Sequence, residues 1–371
     1  MQGIKNIISI VLIISAIVFV AKNCSYYNIL KKVNIDSTQP TLEYNGAGYH
    51  FSKLTETQKI VYNSILTGIR NFDKTISIPK ITPSELNTVF SHTKYDNPIL
   101  FHVDTTYKYR TRKGKMTFIP TYLYDKHTTE IYKKQIDNYL QNFDEAKDYD
   151  DLDKALFVND YFVNNYEYDY SYEKKSDTIL GLFLDGKAVC SGFSYFAKLV
   201  FDYLNIYSLI VEGKAKNPNN NQLTEAHAWN IIKIGNNYFH LDLTWNICIS
   251  DENIRYDYFM LCDNEIKKDH IITGIVPACN ISNRDYYTLN NMSINGLSQF
   301  SQYTERNLRD NQNSMIVKIK NLSFYDGLAT KILEIATKAH MSIYNRSIDT
   351  YMRYNKDLMV FEFKFEERRD F

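Results

Sequence analysis

The sequence carries no excess of charge of either sign. Its 371 residues include 43 basic and 43 acidic side chains, which gives a formal net charge of zero. A nucleic-acid-binding surface needs clustered basic residues that neutralise phosphates, and here the basic residues are spread along the chain. We therefore expect no nucleic-acid partner. The sequence also contains no repeat of solenoid period and no low-complexity tract, which argues against a repeat protein.

Cysteine is scarce, and its spacing is irregular. The five cysteines are Cys24, Cys190, Cys248, Cys262 and Cys279. They form no CxxC pair and have no metal-like spacing to histidine, so the sequence predicts no zinc site, no other metal and no cofactor. Their odd number leaves at least one free thiol, while a disulfide between two of the last three stays open.

One long apolar run lies near the N-terminus. Residues 6–21 are nearly all apolar and are flanked by lysines, and their length falls between a signal-peptide core and a membrane-spanning helix. Export with retention as a membrane anchor is favoured, because Ala21 supplies only one of the two small residues that a cleavage site needs. Cleaved secretion and lipidation at Cys24, which follows Asn23 rather than a small residue, stay open. The rest of the chain is then expected to be extracytoplasmic.

The remaining chain is long enough for several units. A hydrophobic content of 44% supports a sizeable core, and the length predicts two or three domains. The predicted organisation is a signal or anchor segment (1–24), a spacer (25–50), an N-terminal α+β region (51–145), a central core (146–282) and a small C-terminal α+β region (283–371).

Periodicity and turn signals predict the elements of these units. A helix is expected after Leu54, with Thr55 or Thr57 as its cap, and a hairpin is expected around RKGK, residues 112–115. Two further helices follow. An acidic cluster is interpreted as the start of the second of them, where negative charge suits the helix dipole, rather than as a metal site; its members are Asp148, Asp150, Asp151 and Asp153.

The stretch GKAVCSGFSYFAKLVFDYLNI, residues 186–206, places a thiol at a helix start. After Cys190, apolar residues recur at intervals of three and four, which predicts a buried helix face, and Asn205 can end the helix in a left-handed conformation. A helix N-terminus lowers the pKa of a thiol and favours a nucleophile. The alternative is that Cys190 is a small buried hydrophobic residue.

A base for this thiol is offered by HAWNIIKI and NYFHLDLTW, two strand-like runs around Gly235-Asn236. If these two residues form the hairpin loop, Asp242 lies opposite Trp229 and His227 is its diagonal neighbour on the same face, within reach of a carboxylate. A loop longer by one residue would put the two on opposite faces. His240 shares that face and is a competing base.

In this order, VCSGFSYFAKLVFDYLNI, HAWN and YFHLDLTWN resemble the transglutaminase-like superfamily, which is papain-like in its catalytic logic. The resemblance covers about residues 155–280 and extends to exported bacterial proteins that carry this core. It implies an α+β fold in which the helix bearing the cysteine packs on an antiparallel sheet bearing the histidine and the aspartate. It further implies a triad of Cys190 as nucleophile, His227 as base and Asp242 as the residue that orients it.

The chemistry implied is acyl transfer through a thioester, with an oxyanion hole in which the backbone N–H of Cys190 is one donor. Animal transglutaminases place a tryptophan upstream of the cysteine, whereas Trp229 and Trp245 both lie downstream and are candidates for substrate positioning. Tyr168 or Tyr172 is the candidate substitute donor.

The missing upstream tryptophan and the lack of a recognisable calcium loop favour hydrolysis over crosslinking. We expect a cell-surface or secreted cysteine protease or deamidase that acts on protein or peptide amides, with cell-wall-associated substrates among the candidates. The alternative is a catalytically silent module that acts as a surface binding or structural protein.

Overall fold

A computed structural model describes residues 48–216, 224–310, 313–344 and 348–367. These residues belong to one compact unit. The predicted hydrophobic N-terminal helix, Cys24 and most of the spacer lie outside the described residues. Within the described ranges, no helix combines the length and the apolar character needed to cross a bilayer. The class of mixed helix and sheet is confirmed, and the predicted domain limits stay a prediction.

The N-terminal part packs helices on a three-stranded antiparallel sheet with the order β1-β3-β2. Its elements are α1 (Tyr49–Ser52), α2 (Glu56–Arg70), β1 (Ile76–Pro79), α3 (Pro83–Asp96), β2 (Val103–Arg112) and β3 (Lys115–Tyr122). Thr55 caps α2 through a capping box with Gln58, and Thr82 caps α3 in the same way with Glu85. The predicted first helix, its cap and the hairpin around RKGK are therefore confirmed.

Two helices lead into the core. They are α4 (Lys126–Leu140), continued by a 3-10 segment (Gln141–Asp148), and α5 (Asp151–Asn165). The side chain of Asp150 accepts a hydrogen bond from the backbone N–H of Asp153, and Asp151 lies in the same first turn. The acidic cluster is thus a helix start, as predicted, because carboxylates satisfy the free N–H groups there.

The core is a five-stranded antiparallel sheet with the order β10-β6-β7-β8-β9. Its strands are β6 (Ser208–Lys216), β7 (Thr224–Ile234), β8 (Asn237–Leu241), β9 (Phe259–Leu261) and β10 (His270–Ile272). Helix α6 (Cys190–Tyr203) packs on β6 and β7 and buries every residue from Gly192 to Phe201. Asn205 follows it with a φ of 60°, which is the predicted left-handed ending. The cysteine-bearing helix therefore lies on the sheet that carries the histidine.

Short elements surround this core. They are a parallel pair β4 (Glu167–Tyr168) and β5 (Lys187–Ala188), a 3-10 turn (Lys174–Asp177), a π-helical turn (Gly181–Asp185), α7 (Leu243–Ile249), α8 (Asp263–Ile266) and α9 (Tyr286–Leu289).

The hairpin of β7 and β8 has the predicted two-residue loop at Gly235-Asn236. Ile234 pairs with Asn237, and the ladder ends at Asn230 and Leu241. One expectation is wrong: the run NYFHLDLTW does not continue as a strand beyond Leu241. Asp242 instead caps helix α7, because its side chain accepts the backbone N–H of Trp245 at 3.0 Å and so satisfies a free donor of the first turn.

The C-terminal part is a four-stranded sheet with the order β11-β12-β14-β13 and two helices. Its elements are β11 (Ser293–Asn295), a 3-10 turn (Leu297–Gln299), α10 (Phe300–Arg309), β12 (Ser314–Lys320), α11 (Leu328–Tyr344), β13 (Ile348–Asn355) and β14 (Val360–Glu367). The turn of the last hairpin reaches the core, where Leu358 and Val360 are buried and Asp357 pairs with Lys216 at 3.1 Å.

Candidate active site

Cys190 is the first residue of α6, and its side chain is half-buried. A Cβ atom added at Gly192 would lie 2.2 Å from the carbonyl oxygen of Ser176, so only glycine lets the first turn approach the segment in front of it. The same carbonyl accepts the backbone N–H of Val189. These contacts hold the first turn of α6 in place, with the sulfur at the positive end of the helix dipole.

His227 lies on β7, and its ring is almost completely buried. Its Nε2 is 2.7 Å from Oδ2 of Asp242, and the ring also hydrogen-bonds to the Cys190 thiol. Because Nε2 faces the carboxylate, Nδ1 is the nitrogen left for the sulfur. Burial alone lowers the pKa of His227, but the charge and hydrogen bond of Asp242, together with Cys190, raise it above its ordinary value. The protonated imidazole is therefore favoured beside the thiol.

Asp242 is fully buried, and both of its oxygens are occupied. Oδ1 accepts the backbone N–H of Trp245, and Oδ2 accepts from His227 and from His270. Burial alone raises the pKa of Asp242, but its two histidine partners lower it well below its usual range. Asp242 is therefore ionised and held in one orientation.

His270, at the start of β10, is a member of the site that none of the motifs marks. Its Nε2 lies 3.0 Å from Oδ2 of Asp242. Strand β6 lies between β10 and β7 and pairs with both. Its residues Ala215 and Gly213 lie opposite His270 and His227, respectively. A Cβ at Gly213 would come within 2.8 Å of the Trp229 ring, so the missing side chain leaves room for the rings above it.

His240, the competing base, is bound elsewhere. Its Nδ1 accepts the indole N–H of Trp229 at 3.0 Å, and its Nε2 lies 2.9 Å from Oδ1 of Asp263. Because an indole can only donate, Nδ1 carries no proton and Nε2 must donate to the carboxylate. His240 is therefore neutral, in agreement with a pKa that burial lowers, and both of its nitrogens are used.

In the part of the chain that the structure describes, two groups of side chains bring possible metal donors within 4.8 Å of one another: His227 with Asp242 and His270, and His240 with Asp263 and Cys279. In the first group, both histidines use Nε2 for hydrogen bonds to the carboxylate. In the second group, Nδ1 of His240 accepts the indole N–H of Trp229, so the proton of the ring lies on Nε2, the nitrogen that a metal would need. The hydrogen bonding of both groups therefore disfavours metal ligation.

The two tryptophans have different environments. Trp245 stacks on His227 with ring centroids 4.2 Å apart, and its buried indole N–H has no hydrogen-bond partner among the described residues. It covers the ring of the base and shields it from water. Trp229 is buried in the core, where His240 takes its only donor.

Strand β4 pairs with β5, and Tyr168 lies opposite Ala188, which is two residues before Cys190. This pairing brings Tyr168 beside the nucleophile. Burial first, and then the charge of Cys190, raise the pKa of Tyr168 well above its ordinary value, so its O–H stays a donor. Tyr172 hydrogen-bonds to Tyr168, is 68% exposed and has a φ of 54°. The structure thus brings Tyr168 to the thiol and leaves Tyr172 at the surface.

An open groove of about 650 Å³ is lined in part by Tyr168, Tyr170, Cys248 and Ile254. Cys248 lies close enough to interact with the charge of Cys190, yet burial raises the pKa of its own thiol to about 12. Burial also raises the pKa of Cys262 and Cys279. All four described cysteines are free thiols, so the disulfide left open for the last three does not form here.

Comparison with known proteins agrees with the motifs. Residues 138–243 match the family model of the transglutaminase-like superfamily, which confirms the resemblance. A solved structure of a TGase is 15% identical, with a TM-score of 0.29, and the match covers 50% of this chain and 54% of that one. A "Putative Cysteine Protease from Cytophaga hutchinsonii" is 14% identical, with a TM-score of 0.26, over 38% of this chain and 61% of that one. The chain thus matches less than two thirds of either neighbour. No curated protein matches it.

Proposed function

We propose that the transglutaminase-like segment of this chain is a cysteine-dependent hydrolase of protein or peptide amides. The observation that carries the proposal is the continuous hydrogen-bonded series Cys190, His227 and Asp242 at the start of a helix. A thiol, an imidazole and an oriented carboxylate in this order form an activated nucleophile. Burial raises the pKa of the other three described cysteines, and the imidazole beside one of them, His240 near Cys279, is neutral.

The reaction follows from the proton positions. The Cys190 thiolate attacks the amide carbonyl carbon, and protonated His227 gives its proton to the departing nitrogen as the C–N bond breaks. Water then attacks the thioester, and His227 takes up a proton from it. Collapse of the intermediate releases a carboxylic acid and restores the thiolate. Throughout, Asp242 keeps the ring in one tautomer and orientation.

The negative oxygen that forms in each step needs fixed donors. The backbone N–H of Cys190 is one, as in other nucleophiles at a helix start. Tyr168 is the second in this proposal, because its hydroxyl remains protonated and lies near the sulfur. The groove that Tyr168 helps to line then accommodates the polypeptide that carries the amide.

Hydrolysis is proposed over crosslinking, since no tryptophan precedes Cys190 in the position that animal transglutaminases use. The setting proposed is the outside of a bacterial cell, with residues 6–21 as a signal or anchor, and cell-wall-associated substrates are included. This part rests on the apolar run and on the resemblance to exported proteins.

The test is mass analysis of the full chain incubated with a glutamine-containing protein and a primary amine. Cys190→Ala is the inactive variant, and Cys248→Ala is the matched control because this thiol lies near the site. New peptide termini or conversion of glutamine to glutamate, lost only in Cys190→Ala, support the hydrolase. Amine adducts with the same dependence would instead make the protein a crosslinking enzyme.

Reaction with iodoacetamide decides the case without a known substrate. An ordinary thiol has a pKa of about 8.5 and reacts slowly at pH 6. Cys190 is expected to be alkylated rapidly at that pH, and His227→Ala is expected to remove the effect. Alkylation of Cys190 no faster than that of Cys248 would contradict an enzyme and favour the silent surface module.

A further inference from the structure

His270 lies between two carboxylates. Its Nε2 is 3.0 Å from Oδ2 of Asp242, and its Nδ1 is 2.6 Å from Oδ1 of Asp269. An ionised carboxylate can only accept hydrogen bonds, so each ring nitrogen must carry a proton to make its contact. The geometry therefore requires an imidazolium at a side chain that has no solvent exposure.

The second carboxylate is itself fixed by the C-terminal part of the chain. Oδ2 of Asp269 accepts the hydroxyl of Tyr258 at 2.7 Å, and the Tyr258 oxygen in turn accepts the side-chain amide of Asn355 at 3.1 Å. Asn355 is the last residue of β13. The series that begins at Cys190 thus continues beyond the triad and ends in the C-terminal sheet.

We propose that His270 is a positioning residue of the triad. It is a permanently protonated imidazolium that fixes the orientation of Asp242. The negative charge of Asp242 is thereby shared between His270 and His227. The proposal rests on the proposed function, because it concerns how the same thiol and imidazole are tuned. The proposal adds a residue outside the three motifs. It also explains why the segment from Tyr258 to Asn355 contacts the core.

The shared oxygen has a physical consequence. If Asp242 had no second cationic partner, it would stabilise protonated His227 so strongly that His227 would release its proton poorly to a leaving amine. A second cation on the same oxygen weakens that attraction, and the ring centroids of His227 and His270 are only 5.5 Å apart. Burial leaves this repulsion little screened by salt.

The groups that face His270 agree with a lasting charge. They are Asp242, Asp269, His227, His240 and Tyr258, with the Trp229 ring packed at 4.9 Å. Two of them are carboxylates, one is a neutral histidine, one is a tyrosine whose pKa is raised, and only protonated His227 opposes the charge. Burial alone lowers the pKa of His270, but its two carboxylate partners raise it above the ordinary value.

The informative variant is His270→Gln, which keeps an N–H donor for Asp242 and removes the positive charge. The loss of a nearby cation raises the proton affinity of both the Cys190 thiolate and the His227 imidazole. Both limbs of the alkylation profile of Cys190 should therefore shift to higher pH, and the limb set by His227, whose ring centroid lies 5.5 Å from that of His270, should shift by about two units. A purely structural role would lower the rate and leave the limbs in place.

The experiment measures iodoacetamide alkylation of Cys190 against pH, by mass analysis of the full chain. His240→Gln is the matched control, since His240 is equally buried and also pairs with a carboxylate but is neutral; its profile should keep the wild-type midpoints. An alkaline shift in His270→Gln alone supports the proposal. Unshifted midpoints in a folded His270→Gln protein overturn it.

A second measurement on the wild-type protein does not depend on any variant folding. In ¹⁵N-histidine-labelled protein, two imidazoles, those of His227 and His270, should keep both ring nitrogens protonated through neutral and mildly alkaline pH. A neutral tautomer for His270 at neutral pH would overturn the proposal. If wild-type Cys190 instead reacts like an ordinary thiol, the proposed function fails, and the imidazole spectrum still decides the charge of His270.

Discussion

Oδ2 of Asp242 lies 2.7 Å from Nε2 of His227, just beyond the open end of a hairpin whose loop is only two residues long. The contact exists because the strand ends at Leu241 and Asp242 turns to cap the next helix. One carboxylate therefore has two roles: its Oδ1 starts a helix and its Oδ2 orients the base. The local structure and the chemistry of the site depend on the same side chain.

Asp242→Asn is predicted to reduce the rate of Cys190 alkylation at pH 6 by about 10²–10⁴-fold. The amide keeps the size of the side chain and can still cap the helix, but it removes the charge that stabilises protonated His227. Asp263→Asn is the matched control, because it alters the carboxylate partner of His240. If both variants lose reactivity equally, the effect is one of folding and the triad assignment is contradicted.

Trp245→Leu is predicted to lower the alkylation rate at pH 6 by about tenfold, because water would then reach the ring of His227 and weaken its contact with Asp242. Trp245→Phe should stay within about threefold of wild type, since it keeps a ring stacked on the imidazole. The indole N–H has no partner among the described residues, so its loss leaves nothing unpaired. Equal losses in both variants would count against shielding as its role.

Local signals in the sequence are enough to predict several elements of the fold. The cap at Thr55, the acidic start of α5, the helix that opens at Cys190 and the two-residue loop at Gly235-Asn236 all follow from side chains within a few positions of one another. The loop length also sets the register of the hairpin, and that register alone predicts that His227 lies near Asp242.

Contacts between distant segments cannot be predicted in this way. His270 reaches Asp242 across 28 positions, through a three-residue strand that pairs with β6 and has no periodicity of its own. The end of the strand at Asp242 also escapes prediction, because LDLTW alternates like a strand and only the capping contact shows the helix. The neutral state of His240 depends on Trp229, a neighbour on the adjacent strand.

The stability of the fold is predicted to depend on pH through these buried groups. The folded protein raises the pKa of His227 and His270, so their stabilising contribution is complete below the unfolded value of about 6.5 and is lost as the pH rises through the folded values. Asp242, whose pKa is lowered, contributes above its unfolded value of about 3.9 and loses its contribution as the pH falls below it.

The measurement is urea denaturation of wild type and His270→Gln at several pH values. The difference in free energy of unfolding should be largest below the unfolded pKa of about 6.5 and should narrow as the pH rises through the folded pKa of His270, which its two carboxylate partners raise. A difference that stays constant over this range would mean that His270 does not carry the expected charge.

Tyr168→Phe separates the oxyanion role from activation of the thiol. The hydroxyl contributes only when a negative oxygen forms, so the variant should lose about 10²–10³-fold in turnover of an amide substrate. Its rate of alkylation at pH 6 should stay close to wild type, because alkylation forms no oxyanion. Tyr172→Phe is the matched control, since that side chain is exposed and hydrogen-bonds to Tyr168. If Tyr168→Phe instead slows alkylation and turnover together, its hydroxyl helps to stabilise the thiolate, and the second oxyanion donor must be sought among the backbone N–H groups at the start of α6.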